Sequence, residues 1–434
     1  MNMNKPVKVA LIAMGCEKNV VNSEQMLYLL DKAGFELVGD PNESDVTIVN
    51  TCGFTESARE EAMEQIYEVL DCGCKLIVAG CLPEYHKLNP VKGLARADGL
   101  VGTGKFDDVV EAVSAVMDGQ TPVYYGNLSA PVSETPRIYT GPPGTAYVKL
   151  AEGCGNRCSY CVIPALRGPY RPRTADAVLA EAGRLVRGGV TELILVAQDV
   201  TQYPDLPGLL NRLCEFGGLR RVRLHYLYPS SVTDELIDVI AAQPKIARYL
   251  DIPIQHASDA VLKAMNRRYT RADLESLILK LRGRIPGVVL RTSVIVGFPG
   301  ETKADFEELC DFLQWAQIPR AGVFAYSREE GTAAASLPLQ LTETVAARRL
   351  KRVEVLQSRV IDGFNREREG SVVEVLTDGY DDFAKLYYGR SGAESPDIDG
   401  VVFFTSPRRI QPGEWARVLM DGAVDGDGKG RVVE

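Results

Sequence analysis

Between Val7 and about Asn127, short apolar runs alternate with amphipathic stretches: VKVALIAM, a helical pattern over 23–33, DVTIVN, a second helical pattern over 56–70, then KLIVAG. That alternation predicts parallel strands joined by helical crossovers, an α/β domain over residues 1–127. Five prolines (Pro122, Pro131, Pro136, Pro142 and Pro143) then interrupt the pattern, and a stretch so rich in proline and so poor in periodicity reads as an extended linker, placed at 128–145. Six further strand candidates follow: AYVKLAE, TELILVA, RVRLHY, RYLDIPI, VVLRTSVIV and AGVFAY, separated by helical patterns such as 174–187 and 271–283. A closed eight-stranded barrel needs roughly 250 residues, so this shorter segment predicts an open six-stranded (β/α) partial barrel. With the long charged helix expected at 342–366, this domain covers 146–367. Beyond it, short alternating strands (VVEVL, AKLYYG, GVVFFTS, EWARVLM, RVVE) broken by Gly, Asp and Pro predict a small all-β barrel over 368–434.

Composition agrees with three compact units. The 434 residues are too many for one ordinary domain, and 45% apolar with 25% charged residues is close to the globular average, without low-complexity tracts or repeats. Met1 to Ala10 shows no signal-peptide pattern and no run reaches membrane length, so a cytoplasmic location is expected. The formal net charge of −9 opposes non-specific binding to nucleic acid and favours a basic partner.

Ten cysteines change the picture, because a reducing cytosol disfavours disulfides and clustered thiols then point to metal or redox chemistry. In EGCGNRCSYC, Cys154, Cys158 and Cys161 follow the first barrel strand and belong in a tight loop at the carboxyl-end mouth of the barrel, where such folds keep their chemistry. Three such thiols suit a 4Fe-4S cluster with one iron left open. A structural zinc knuckle would want a fourth Cys or His nearby; the nearest following histidine is His225. Cys16, Cys52 and Cys81 each end a predicted strand, in LIAMGC, TIVNTC and IVAGC, so they should project from one sheet edge, where open α/β sheets bind ligands. The competing reading is three unrelated buried thiols. Cys72 and Cys74 fall at the opposite edge, and Cys214 and Cys310 in helical patterns, as small buried hydrophobes.

The CxxxCxxC spacing resembles the radical S-adenosylmethionine superfamily. That resemblance implies that S-adenosylmethionine binds the open iron and is cleaved to a 5′-deoxyadenosyl radical. Two three-cysteine sites together with an N-terminal α/β domain and a C-terminal β-barrel resemble the methylthiotransferases over nearly the whole chain. MGCEKNVVNSE, NTCGFTES, LHYLYPSS, YLDIPIQHAS and VGFPGET are similar to the branch that modifies ribosomal protein S12, the RimO type. The tRNA-modifying branch more typically has Gln-Met-Asn after the first cysteine and Ser after NTC; here Glu17, Lys18 and Asn19 follow Cys16, and Gly53 follows Cys52. The protein-modifying branch commonly has Pro where Glu17 stands.

The resemblance implies two 4Fe-4S clusters, an electron donor, a sulfur source, and replacement of a C–H by C–SCH3 on the β-carbon of an S12 aspartate. One S-adenosylmethionine would methylate sulfur at the N-terminal cluster and a second would yield the radical. It also implies that the last domain is a TRAM-like recognition module. Thirteen Asp and Glu against seven Lys and Arg from Glu369 onward make it acidic, suited to a basic protein rather than RNA. Glu394, Asp397 and Asp399, in the loop before VVFFTS, are the expected substrate contacts, with a merely solvated acidic loop as the competing reading, and Gln198 with Asp199, just past LILVA, occupy the place where radical enzymes keep a polar group for the methionine amine. VGFPGET lacks the Lys-Ser/Thr of a P-loop, leaving cofactor contact or a tight turn. His86 and His225 read as surface or packing residues, while His256 could line the cavity. Methylthiolation of a tRNA adenosine and a non-catalytic iron–sulfur carrier or sensor remain as alternatives.

Overall fold

The computed structural model describes residues 5–433; Met1 to Asn4 of the first domain and Glu434 of the last lie outside them. The first domain runs β1 (Lys8–Ala13), α1 (Glu17–Lys32), β2 (Glu36–Val38), β3 (Val46–Thr51), α2 (Glu56–Asp71), β4 (Lys75–Gly80), α3 (Cys81–Leu88), β5 (Gly99–Gly102), α4 (Val109–Met117) and β6 (Val123–Tyr124). All its strands are parallel, in the order β2-β1-β3-β4-β5-β6. Alternate residues serve opposite layers: Ile48 and Ile77 pack with Met26 and Leu30 of α1, while Val49 and Val78 pack with Ala62 and Ile66 of α2. Burial on both faces is why these strands read as continuous apolar runs. Strand order reverses direction between β1 and β3, the switch point at which a doubly wound sheet opens a ligand crevice.

Helix α1 begins six residues earlier than its apolar pattern suggested. Its first turns carry Glu17, Lys18, Asn19, Asn22, Ser23, Glu24 and Gln25, all buried against other parts of the protein, so polar side chains do the work that periodicity assigns to apolar ones. The proline-rich stretch after β6 has no regular structure over 128–144 and is pinned along its length. Arg137 donates to Glu24 at 2.7 Å, and Ile138 donates its amide to the Glu24 carbonyl.

The second domain contains β7 (Thr145–Lys149), β8 (Ala151–Glu152), α5 (Ile163–Arg167), β9 (Arg171–Pro172), α6 (Ala175–Arg187), β10 (Glu192–Val196), α7 (Leu206–Cys214), β11 (Arg221–Leu224), α8 (Asp234–Ala242), β12 (Ile246–Asp251), α9 (Asp259–Ala264), α10 (Arg271–Arg284), β13 (Val289–Val296), α11 (Lys303–Ala316), β14 (Arg320–Ala325) and the 26-residue α12 (Glu343–Arg368). Six parallel strands, ordered β14-β13-β12-β11-β10-β7, form the open partial barrel. Leu193, Leu195, Val222, Leu224, Leu250 and Leu290 face the helices as its core. The opposite, inner face carries Glu192, Arg221, Arg223, Tyr249, Asp251 and Arg291, all buried.

The last domain is a closed barrel, β15 (Val372–Asp381), β16 (Leu386–Arg390), β17 (Val402–Thr405), β18 (Trp415–Val424) and β19 (Asp427–Val432), ordered β15-β16-β17-β19-β18 around Val375, Val402, Phe404 and Val418. Its β16–β17 loop is not a solvent-facing acidic surface. It plugs the inner face of the partial barrel: Arg223 donates to the carbonyls of Ser391 and Gly392, Arg320 to Glu394, and Tyr249 to Asp399. Among the described residues no helix is long and apolar enough to cross a membrane.

Candidate active site

Cys16, Cys52 and Cys81 stand at the carboxyl ends of β1, β3 and β4, three strands adjacent in the sheet. Cys16 caps α1 and Cys81 opens α3. Two glycines allow the loops to close on one another. A Cβ on Gly15, whose φ is +85°, would meet the Cys52 Cβ at 2.8 Å, and one on Gly53 would meet the Cys81 carbonyl at 2.7 Å. Asn19 ties the loops together by donating to the carbonyls of Met14 and Thr51, both at 2.9 Å. Burial pushes the Cys81 thiol up to about 11 and also raises Cys52. Against that burial stands the guanidinium of Arg167, itself 2% exposed, beside Cys81 and Cys16 and bonded to Asn19 and Glu152.

The second set lies in the loop after β8. Gly153 (φ +72°) makes its turn, since a Cβ there would run into the Pro169 carbonyl. The Cys154 amide donates to Gly168 and the Cys161 amide to Cys158, both at 3.1 Å. Burial raises Cys154 to about 11 and Cys161 to about 12. Arg267 donates to the Cys158 sulfur at 3.4 Å and to the Pro253 carbonyl at 2.6 Å, with its guanidinium over the rings of Tyr228 and Tyr269.

Each set thus has three thiols and one guanidinium beside them, fully buried in Arg167 and half-buried in Arg267. Cys81, Cys154 and Cys161, pushed up to about 11 to 12, are protonated at neutral pH, and bound iron would supply the charge that deprotonates them. An anionic tris-thiolate cluster is then offset by the arginine beside it, so the donor sets fit the iron–sulfur groups. Among the described residues no group of three His, Cys, Asp or Glu side chains is arranged to hold a single metal ion. Cys72 and Cys74 are at the opposite end of the sheet, where Cys74 donates to Thr47 near the start of β3. Cys310 is buried in α11 and Cys214 half-buried at the end of α7.

Gln198, two residues after β10, encloses both its amide oxygen and nitrogen without a hydrogen-bond partner among the described residues. Orphaned buried polar atoms at a barrel mouth point to a ligand that completes them. Asp199, by contrast, has its carboxylate occupied: it accepts from Asn156 and Gln202 at 2.8 Å and from the amide and hydroxyl of Thr201. It holds the cysteine loop in place instead of offering a free oxygen.

Two of the three acidic residues expected at a substrate surface are structural. Glu394 is fully buried between Arg320 (2.9 Å) and Arg368 (2.6 Å), and Asp399 accepts from the Tyr249 hydroxyl and the Ser395 amide. A sequence read as a polar loop cannot reveal the arginines that await it on another domain. Asp397 alone stays exposed, taking the Tyr147 hydroxyl at 3.0 Å on the rim of a cavity of about 430 Å³ between the three domains. VGFPGET is a self-satisfied turn: the Glu301 carboxylate accepts from the Gly297 and Phe298 amides and pairs with Arg349. His256 is fully buried, accepts from the Ser258 amide, and burial lowers it to about 3. His225 is likewise buried, hydrogen-bonded to Ser395, and His86 is half-buried and accepts from the Val91 amide. Arg167 and Arg267 were missed, although Arg167 stands only six residues beyond Cys161.

Three family models match the chain: the Radical SAM superfamily over residues 148–313, the uncharacterized protein family UPF0004 over 8–102, and the TRAM domain over 370–433. The ribosomal protein uS12 methylthiotransferase RimO of Pelotomaculum thermopropionicum is 46% identical over 441 residues, covering 98% of this chain and 99% of its own length. The protein of the same name from Trichlorobacter lovleyi is 45% identical over 92% of both chains, and that from Geobacter sulfurreducens 42% over 99% of both. Among solved structures, the radical S-adenosylmethionine methyltransferase TsrM of Kitasatospora setae, with cobalamin and a 4Fe-4S cluster bound, superposes with a TM-score of 0.58 at 18% identity, covering 76% of this chain and 77% of its own. The cobalamin-dependent radical enzyme OxsB gives 0.51 at 12% identity, over 81% of this chain and 56% of its own. These two likenesses concern the fold.

Proposed function

The chain belongs to the ribosomal protein uS12 methylthiotransferase family, RimO, and on that premise we propose how its residues divide the work. It is a radical S-adenosylmethionine enzyme that methylthiolates ribosomal protein S12. In our reading it carries two 4Fe-4S clusters, one held by Cys154, Cys158 and Cys161 and the other by Cys16, Cys52 and Cys81, and the modified atom is the β-carbon of an aspartate. When bound, the clusters and S-adenosylmethionine supply the electron, the hydrogen-abstracting radical and the methylthio group.

The observation that carries this assignment is the position of Arg167. It follows the triplet closely in sequence, and its guanidinium lies beside Cys16 and Cys81 in the other domain, bonded to Asn19 of α1. Val162 and Leu166, just after the triplet, pack with Cys81 and Tyr85 of the first domain, which supports a reading in which the two sets face each other across the domain junction, as a transfer between them requires. Arg167 and Arg267 offset the negative charge of the two thiolate sets. Gln198 binds S-adenosylmethionine through its amide, and Asp199 orients Asn156 in the triplet loop. Asp397 and the exposed Asp382 favour a basic protein partner, and the work takes place in the cytoplasm with an external electron donor and sulfur source.

The test is anaerobic reconstitution with iron, sulfide, S-adenosylmethionine and reductant, followed by mass analysis of S12 and of tRNA nucleosides. The expected result is S12 with one methylthio group replacing a hydrogen on an aspartate, from an enzyme with the iron content of two clusters. A methylthio group on RNA and none on S12 would overturn the reading.

A further inference from the structure

Lys18, two residues after Cys16, is buried without a hydrogen bond to any of the described residues. Its side chain is 8% exposed, and its only ionic neighbour, Glu17, is 3.6 Å away, beyond hydrogen-bonding range. Glu17 is engaged elsewhere, its two carboxylate oxygens each 3.1 Å from the Tyr226 hydroxyl that donates to them. The Lys18 nitrogen stands 4.1 Å from the centroid of the Tyr226 ring, and among the described residues it has no other partner. Lys149 shows what a satisfied buried lysine looks like in this protein, with Glu152 at 2.5 Å and Asn22 at 3.2 Å. Among the described residues no protein group fills the donors of this ammonium, and its nitrogen, unlike the sealed orphan atoms of Gln198, is not fully enclosed, so an acceptor from outside can reach it.

The surroundings fix where those donors sit. Lys18 is in the first turn of α1, directly after the Cys16 cap, so its backbone moves with the auxiliary site. Tyr226 comes from the other side, just past β11 at the barrel mouth. It adopts a φ of +61°, rare for a bulky residue, and is held there by its amide on Asp251 and its carbonyl on the Val200 amide, both at 3.1 Å. Val200 adjoins Asp199, which accepts from Asn156 in the triplet loop. A continuous chain of contacts therefore runs from one cysteine set to the other, with the unfilled ammonium within it.

We propose that Lys18 binds the side-chain carboxylate of the substrate aspartate. This inference rests on the function proposed above and adds a residue that selects the acid over its amide. The carbon to be modified is bonded to the carboxylate carbon, so holding that group fixes the reacting carbon between the two cysteine sets. An ammonium resting on an aromatic face, with three free N–H groups at a helix N-terminus, is matched to an anion.

The test uses the reconstituted holoenzyme with S12 and with S12 carrying Asp→Asn at the position the wild type modifies. The wild type should bind the aspartate form roughly ten- to a hundredfold more tightly, the range for a hydrogen bond to a charged group. Lys18→Met should bind both forms alike, with KM for S12 raised by the same factor, while Lys18→Arg should recover most of the discrimination. Iron content and visible absorbance report whether each variant assembles; if Lys18→Met does not, the wild-type comparison and Lys18→Arg still decide. Equal affinity of the wild type for both forms, or full discrimination by Lys18→Met, would overturn the proposal while leaving the function intact. A wild type that modifies tRNA and never S12 would remove both.

Discussion

Arg167 donates to both carboxylate oxygens of Glu152, at 2.9 and 3.2 Å, with the two side chains only 2% and 10% exposed. Both contacts come from Nη1, which leaves Nη2 to reach across the domain junction to Asn19, with the guanidinium in the neighbourhood of Cys81. A buried positive charge there favours the reduced, more negative state of a cluster on Cys16, Cys52 and Cys81. Arg167→Met should therefore lower the reduction potential of that cluster by at least about 60 mV, a factor of ten for one electron. The measurement is a redox titration in a chain whose triplet cysteines are replaced by alanine, leaving one cluster. Arg167→Lys, which keeps the charge and loses the second nitrogen that reaches Asn19, should fall between; an unchanged potential in Arg167→Met would show that the contact is architectural only.

The two cysteine sets should separate by product. Cys154→Ala should abolish deoxyadenosine formation and halve the iron content. Cys52→Ala should lose the same share of iron and still form deoxyadenosine, but leave S12 without its methylthio group. Chromatography of deoxyadenosine beside mass analysis of S12 distinguishes them, and identical losses in both variants would contradict the division of labour.

The sheets, the open barrel and both cysteine triplets were legible because each leaves a local mark: apolar runs of strand length, and thiols at fixed offsets from them. What the sequence hid is where polar side chains meet across domains. The early turns of α1 are polar and buried, so periodicity misplaced the helix start. Glu394 and Asp399 looked like a surface because their partners, Arg320, Arg368, Tyr249 and Arg291, are up to about 150 residues away and belong to other elements. Arg167 and Lys18 stand near the cysteine motifs, yet nothing local distinguishes them from the other basic residues of the chain.

Gln198 provides a test in which stability and affinity move in opposite directions. Its amide atoms are enclosed and unpaired without ligand, a state that costs about 1–3 kcal/mol. Gln198→Ala should therefore leave the thermal stability of the ligand-free protein unchanged or slightly higher, despite the smaller side chain. The same change should weaken S-adenosylmethionine binding roughly tenfold, as expected for a lost hydrogen bond to a charged ligand. Equilibrium dialysis under anaerobic conditions reads the second effect. Loss of stability with unaltered affinity would assign Gln198 to packing.

Glu394 separates a plug from a recognition loop. Burial alone would raise its carboxyl, but the guanidiniums of Arg368 and Arg320 prevail and hold it down to about 2, from an ordinary value of 4.5. A carboxyl lowered on folding stabilises fully above its unfolded value, and that stabilisation is lost as pH falls through the folded one. Glu394→Gln should therefore cost about 3–5 kcal/mol at pH 7, because two buried cations lose their counter-ion. The difference from wild type should shrink as pH falls from about 4.5 towards 2, where the wild-type carboxyl also becomes neutral. Denaturant unfolding across that range measures it. A substrate-contact role predicts the reverse pattern: unfolding midpoints that match at every pH, and weaker S12 binding at neutral pH. Arg320 of the barrel wall, Arg368 at the end of α12 and the amide and hydroxyl of Ser391 in its own loop together occupy both Glu394 oxygens, leaving neither unpaired for a partner protein.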